Sequence, residues 1–187
     1  VVLKMLGKIL VQTGQWERAL NVFGQAQSKD PDDAELFQSI ASVYFGMGDV
    51  DRAMSQLGLA LAIDSTLASA HAGRGSILMQ QRQLPEAARA FQAAARFELD
   101  DPSHLVQLGM ARCDLKQWAE GRASFMSAVA IDSTQYEGYL GWAVAERNMG
   151  NLRAAEQALL RAAALKPESE TAKSLLQSVR RQRSDSN

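Results

Sequence analysis

The sequence predicts an all-α protein made of five helix hairpins in series and closed by one further helix, and three observations carry that reading. Superposed on itself at an offset of 34 residues, the 187-residue chain stacks into columns of like size. Small residues fill three of them: Ala26, Ala60, Ala94, Ala128, Ala162; Ala19, Ala53, Ala87, Gly121, Ala155; and Gly7, Ala41, Gly75, Gly109, Ala143. Two bulky columns run between these, Phe23, Leu57, Phe91, Phe125, Leu159 and Trp16, Val50, Leu84, Trp118, Leu152. Within a copy the apolar residues recur at helical steps. The composition agrees, because Ala, Leu and Gln abound while only four prolines and 6% aromatic residues interrupt them.

In chain order the copies cover 1–33, 34–67, 68–101, 102–135 and 136–169. The second copy displays the pattern of all five: Phe37, Ile40, Ala41 and Tyr44 mark one face of a first helix, and Ala53, Leu57, Ala60 and Leu61 one face of a second. Between them "GMGDVD" offers Gly48 for the positive φ of a helix C-cap, as Gly14 and Gly150 do in the first and fifth copies. Arg82 and Lys116 stand in that glycine column, so the third and fourth hairpins are expected to have stiffer or different turns. The copies are joined by "KDPDDAE", "IDSTLAS", "LDDPSHL", "IDSTQYE" and "LKPESET", rich in the residues that end one helix and start the next. After them, 170–183 reads as a capping helix with Leu175, Leu176 and Val179 inward and Lys173, Arg180 and Arg181 in water; 184–187 is expected to be a disordered tail.

A 34-residue helix-turn-helix with this order of small and large columns resembles the tetratricopeptide repeat family, and Leu6-Gly7, Leu108-Gly109, Phe23, Phe125, Pro31 and Pro167 stand in its expected slots. The likeness runs from Val1 to about Ser169; Arg74 departs from it, replacing the apolar residue of the Leu6, Ile40, Leu108, Trp142 column. The resemblance implies a right-handed α-solenoid, a single array over 1–183, whose concave face is lined by the first helix of each hairpin and holds peptides or partner proteins. The repetition has a physical reason: one hairpin cannot bury its apolar face, whereas stacked hairpins share a continuous core.

Residues that would carry catalysis are missing from the pattern. Twenty basic against 21 acidic residues give a net charge of -1, which disfavours nucleic acid and anionic surfaces as partners. The single cysteine, Cys113, excludes an internal disulfide; it reads as a quiet, partly buried thiol. His71 falls in the column of Leu3, Phe37, Leu105 and Tyr139 and reads as packing, while His104, on the first turn of a helix, reads as exposed. Arg112 and Glu146, one repeat apart, both replace apolar residues of one column and are expected to pair. No catalytic, cofactor or metal site is assigned. No apolar run reaches membrane-spanning length. The chain reads as soluble, cytoplasmic rather than periplasmic, with any targeting segment lying upstream of Val1.

The candidate site is therefore a surface. Spacing points a set of first-helix residues away from the second helices, and its middle is apolar: Phe45, Ala72, Gly73, Ser76, Met79, Val106, Met110, Leu140, Gly141 and Val144. An extended apolar patch marks an interaction surface, and methionines let it adapt. Other family members grip a C-terminal carboxylate with cations and asparagines; here Lys4 and Lys8 have suitable spacing, but Ser39, Ser69 and Gly73 fill the later slots. The reading is a non-enzymatic scaffold or adaptor for an internal apolar or amphipathic segment, a helix by preference. The alternatives are self-assembly into a homo-oligomer through the raw helix beginning at Val1 and Val2, or an accessory part of a larger enzyme or of a secretion or assembly machine.

Overall fold

In the computed structural model, residues 2–185 are described, and they form helices joined by short turns. The first helices of the hairpins are α1 (Val2–Gln12), α3 (Ala34–Gly46), α5 (Ala68–Gln80), α7 (Pro102–Asp114) and α9 (Tyr136–Asn148). The second helices are α2 (Trp16–Gln27), α4 (Val50–Ile63), α6 (Leu84–Phe97), α8 (Trp118–Ile131) and α10 (Leu152–Leu165), and α11 (Glu170–Asp185) follows them. From α3 onward every first helix, and then α11, begins 34 residues after its predecessor, and each second helix begins on the Trp16, Val50, Leu84, Trp118, Leu152 column. The period read in the sequence is thus the period of the helices. No helix among the described residues is long and apolar enough to cross a membrane.

The described residues fall into two compact units, and the division lies between Phe97 and Glu98. Up to Phe97, the pairs α1/α2, α3/α4 and α5/α6 are hairpins, with α2 against α3 and α4 against α5. From Glu98 on, α7/α8 and α9/α10 are hairpins, α8 lies against α9, and α11 lies against α10.

Each core interlocks large residues with small ones. Phe23, Leu57, Phe91, Phe125 and Leu159 are buried, and so are the small columns that face them. Sixteen residues separate the partners of a pair, and glycine accompanies each phenylalanine (Gly7 with Phe23, Gly75 with Phe91, Gly109 with Phe125) while alanine accompanies each leucine (Ala41 with Leu57, Ala143 with Leu159). The reason is steric: a Cβ on Gly7, Gly75 or Gly109 would lie 2.2, 2.8 or 2.7 Å from the partner ring. A methyl group fits only where the ring is replaced by the smaller leucine.

All five hairpin turns share one geometry, which corrects the expectation for the third and fourth. Gly14, Gly48 and Gly150 have φ of 70, 81 and 82°, and Arg82 and Lys116 adopt 60 and 61°. The residue after each donates its N–H to a carbonyl five residues back, as Gln117 does to Arg112 at 2.9 Å and Asn151 to Glu146 at 2.9 Å. The repeat geometry thus overrides the preference of an L side chain at Arg82 and Lys116, at a cost of about 1–2 kcal/mol each. Lys116→Gly is accordingly expected to stabilise the protein by roughly 1 kcal/mol, and Gly150→Ala to destabilise it by a similar amount; urea denaturation midpoints moving in the opposite sense would overturn this.

Between copies the polar residues do two jobs. Asp33 and Asp101 cap helices, accepting from the N–H of Leu36 (3.2 Å) and of Ser103 (2.8 Å). In the two "IDST" links, by contrast, Asp64 and Asp132 end helices and turn the chain, each accepting from the N–H and hydroxyl of a threonine two residues on, Thr66 and Thr134.

Leu175, Leu176 and Val179 of α11 pack on Ala158 and Leu159. The arginines beyond them are held by Glu156: Arg180 Nε donates to its carboxylate at 2.8 Å, and Arg183 donates to the other oxygen. The Arg180 bond, opposed by partial desolvation and aided by the charge of Arg183, lowers the Glu156 pKa. The helix continues through Ser184, whose hydroxyl donates to the Arg180 carbonyl, to Asp185, so the disorder expected from 184 onward does not hold for these two residues. The rest of that expected tail, 186–187, and the expectation for Val1 lie outside the described residues.

Candidate functional site

Among the described residues, a recess opens on the first-helix face of each unit. In the first unit Ala41, Ser42 and Phe45 of α3 face Gly73, Ser76 and Ile77 of α5 across Leu57 of α4, around a volume of ≈ 200 Å³. In the second, Met110, Cys113 and Asp114 of α7 face Glu137, Leu140, Gly141 and Val144 of α9 across Phe125 of α8, around ≈ 260 Å³. An offset of two repeats maps one set onto the other: Ser42 to Met110, Phe45 to Cys113, Leu57 to Phe125, Gly73 to Gly141, Ser76 to Val144.

Both recesses depend on a glycine. A Cβ on Gly141 would lie 2.4 Å from the Phe125 ring, and one on Gly73 would lie 3.2 Å from Leu57. Without it, the large residue of the second helix forms the floor. At the same repeat position Ser39 and Gln107 carry side chains, and Ser39 is buried with its hydroxyl on the Glu35 carbonyl at 2.8 Å.

Of the ten residues expected on the surface, Phe45, Gly73, Ser76, Met110, Leu140, Gly141 and Val144 line these recesses. Ala72 and Met79 are half-buried on α5 outside the recess lining. Val106 does not belong to the surface: it is 5% exposed and packs with Phe125 and Ala128 in the core. Sequence reasoning passed over the floor residues Leu57 and Phe125, assigned to the core alone. The two-repeat offset from Gly73 to Gly141 is the signal that identifies them.

The polar groups are largely occupied. Lys4 Nζ donates to Asp33 at 2.7 Å and to Glu35 at 3.1 Å. The bond to Asp33 raises the Lys4 pKa against partial desolvation; on the other side, burial pushes the Asp33 carboxyl up, but the Lys4 ammonium and the Leu36 N–H outweigh it and its pKa is lowered. Burial, aided by the charge of Asp114, raises the Cys113 thiol to about 11, so it stays protonated and unreactive. His71 stacks on Phe97 with ring centroids 5.5 Å apart, which agrees with a packing role.

Two sequence expectations are corrected here. His104 is buried, 7% exposed, with Nε2 3.0 Å from Glu98 Oε2 and 3.7 Å from Asp101 Oδ2. Its column of Leu36, Ala70, Gly138 and Ala172, all buried, explains why. These three side chains bring a ring nitrogen and two carboxylates within 4.8 Å of one another beside the cap of α7. Arg112 and Glu146 do not pair. Arg112 turns toward its own hairpin and donates to Ser124 Oγ at 3.0 Å, whereas Glu146 accepts from Trp142 Nε1 at 3.0 Å and Asn151 Nδ2 at 2.8 Å, with Arg122 3.7 Å away. The charge that reaches Glu146 from the preceding hairpin is that of Arg122, on a second helix.

Family models described as "TPR repeat" and "Tetratricopeptide repeat" match residues 7–48, 34–66 and 72–136. The chain is 23% identical over 141 residues to "BBSome complex member BBS4" of Bos taurus, a match that covers 75% of this chain and 26% of that protein; the chain therefore spans about a quarter of this relative's length. Among solved structures it superposes on YrrB, described as a TPR protein with an unusual peptide-binding site, with a TM-score of 0.73, 19% identity and coverage of 92% and 89% of the two chains. It also superposes on the first TPR of Spaghetti (RPAP3), solved with an HSP90 peptide, with a TM-score of 0.62, 20% identity and coverage of 65% and 96%.

Proposed function

Because this chain belongs to the tetratricopeptide repeat family, we propose that it is a non-enzymatic scaffold that holds a protein segment against the first-helix faces of its hairpins. The observation that carries the reading is the pair of recesses at one repeat position, each floored by a core residue and lined mainly by apolar atoms. Such side-chain-sized hollows suit the apolar anchors of a helix or an extended segment. Peptide binding by YrrB and by the Spaghetti TPR supports the class of function. Lys4 is engaged by Asp33 and Glu35, which supports an internal segment over a C-terminal carboxylate.

The test uses a partner captured from the source proteome by the chain and identified by cross-linking. Phe45→Glu and Met110→Glu each place an unpaired charge in a recess and are expected to weaken that complex at least tenfold, while amidation of the partner's C-terminus leaves it unchanged. Normal binding by both variants, with loss of binding on amidation, would overturn the reading. Self-association is the second reading, favoured by the exposure of Val2, Met5, Leu6 and Ile9 on α1, where the next copy buries Leu36, Ile40 and Val43. Sedimentation of the chain alone over a concentration series separates the two.

A further inference from the structure

We propose that Glu98, Asp101 and His104 form a binding site for one divalent transition-metal ion, zinc being the ion that fits it best. All three belong to the second unit, in the link into α7 and on its first turn, and none of them lines either recess. The donor atoms are already grouped. His104 Nε2 lies 3.0 Å from Glu98 Oε2 and 3.7 Å from Asp101 Oδ2, and the three ligand atoms fall within 4.8 Å of one another. A tetrahedral zinc ion at about 2.0–2.2 Å from nitrogen and oxygen sets its ligands roughly 3.3–3.6 Å apart, a spacing that those two distances bracket. Glu98, half exposed, closes the remaining edge by turning its side chain, and water takes the fourth position.

The buried imidazole is what distinguishes this group from a pair of surface acids. The other copies fill its column with Leu36, Ala70, Gly138 and Ala172, so hairpin packing does not ask for a polar ring there. The first link carries acids at the same two positions, Asp30 and Asp33, but Leu36 stands in the histidine's place and Asp33 is bonded to Lys4. In the "IDST" links Asp64 and Asp132 turn back onto a threonine two residues on, whereas residue 100 is aspartate and Glu98 reaches His104 instead. Asp101 caps α7 through Oδ1, which accepts from the Ser103 N–H, and faces His104 with Oδ2, so the cap and the ion use different oxygens. With the ring proton on Nε2 the imidazole donates to Glu98; with it on Nδ1, three acceptors face one another, an arrangement that a cation stabilises. One nitrogen among two carboxylates favours zinc and its transition-metal neighbours over Ca²⁺ and Mg²⁺, which take all-oxygen sites.

The untagged full chain, stripped of metal with a chelator, is titrated with zinc chloride by calorimetry, and the imidazole NMR signals separate His104 from His71. One zinc ion per chain is expected, with a Kd of about 10 μM or tighter. The His104 signals shift, those of His71 do not, and millimolar Mg²⁺ does not displace the ion. His104→Leu supplies the residue that its column holds at Leu36, and Glu98→Gln keeps a partner for Nε2. Both variants are expected to fold as wild type by circular dichroism and to weaken zinc binding at least tenfold. Failure of the wild-type chain to bind zinc, displacement of the ion by Mg²⁺, a His104 signal that zinc does not move, or an affinity that either variant leaves unchanged overturns the proposal and leaves the three side chains as a hydrogen-bonded start to α7.

Discussion

Phe125→Ala is expected to cost about 3–5 kcal/mol, whereas Met126→Ala, on the exposed side of the same helix, is expected to cost no more than about 0.5 kcal/mol. Phe125 is 1% exposed, and its ring fills the space left by two glycines, Gly109 and Gly141, whose added Cβ atoms would lie 2.7 and 2.4 Å from it. Truncation opens a cavity that neither helix is able to fill, because both already approach through residues without side chains. The same geometry predicts coupling. Gly141→Ala gains about 1 kcal/mol of helix propensity and loses about 1–3 kcal/mol to overpacking, so alone it is neutral to destabilising. Combined with Phe125→Leu, which removes the ring that the added methyl would meet, it is expected to cost at least about 1 kcal/mol less than the sum of the two single changes. A strictly additive double-mutant cycle in urea would remove the proposed pairing of sizes.

Glu146→Leu is the second large effect, expected at about 2–4 kcal/mol. The carboxylate is 5% exposed and accepts from both the Trp142 indole and the Asn151 amide, tying α9 to the turn that follows it. Leucine strands those two donors. It also removes the anion nearest to Arg122, whose buried Nε already lacks a hydrogen-bond partner. Glu146→Gln keeps the volume and one acceptor and is expected to lose less than half as much. Arg112→Leu is expected to add to Glu146→Leu without coupling, since Arg112 is bonded to Ser124. Thermal denaturation of the three variants and the Arg112→Leu/Glu146→Leu double variant checks this, and a Glu146→Leu protein as stable as wild type would show that the network contributes nothing.

How legible the site was depended on whether a residue obeys the period. The recess residues Phe45, Gly73, Met110, Leu140 and Val144 were found from helical spacing, because a first helix has one face turned from its partner and the period repeats that face. Val106 was misplaced because spacing gives the direction of a side chain but not the depth of its surroundings, whereas His104 stands in a column of Leu36, Ala70, Gly138 and Ala172 that is buried in every copy and was read by its helix position alone. The Arg112 and Glu146 expectation failed on side-chain reach. Long side chains of one column have several partners within range: Arg112 bonds Ser124, and Glu146 accepts from Trp142 and Asn151.

By itself the sequence determined the helices, their pairing into hairpins and the sizes that interlock between them, because the 34-residue period recurs in every copy and local rules act identically in each. Even the turns at Arg82 and Lys116 follow that period against their own residue preference. Only the tertiary structure decided what happens where the copies differ: that Gly141 uncovers Phe125 and Gly73 uncovers Leu57, that Glu146 meets Arg122 rather than Arg112, and that Lys4 is spent on Asp33 and Glu35. Those outcomes depend on distances of a few ångströms between side chains distant in sequence, set by the packing of neighbouring helices and absent from any one copy of the repeat.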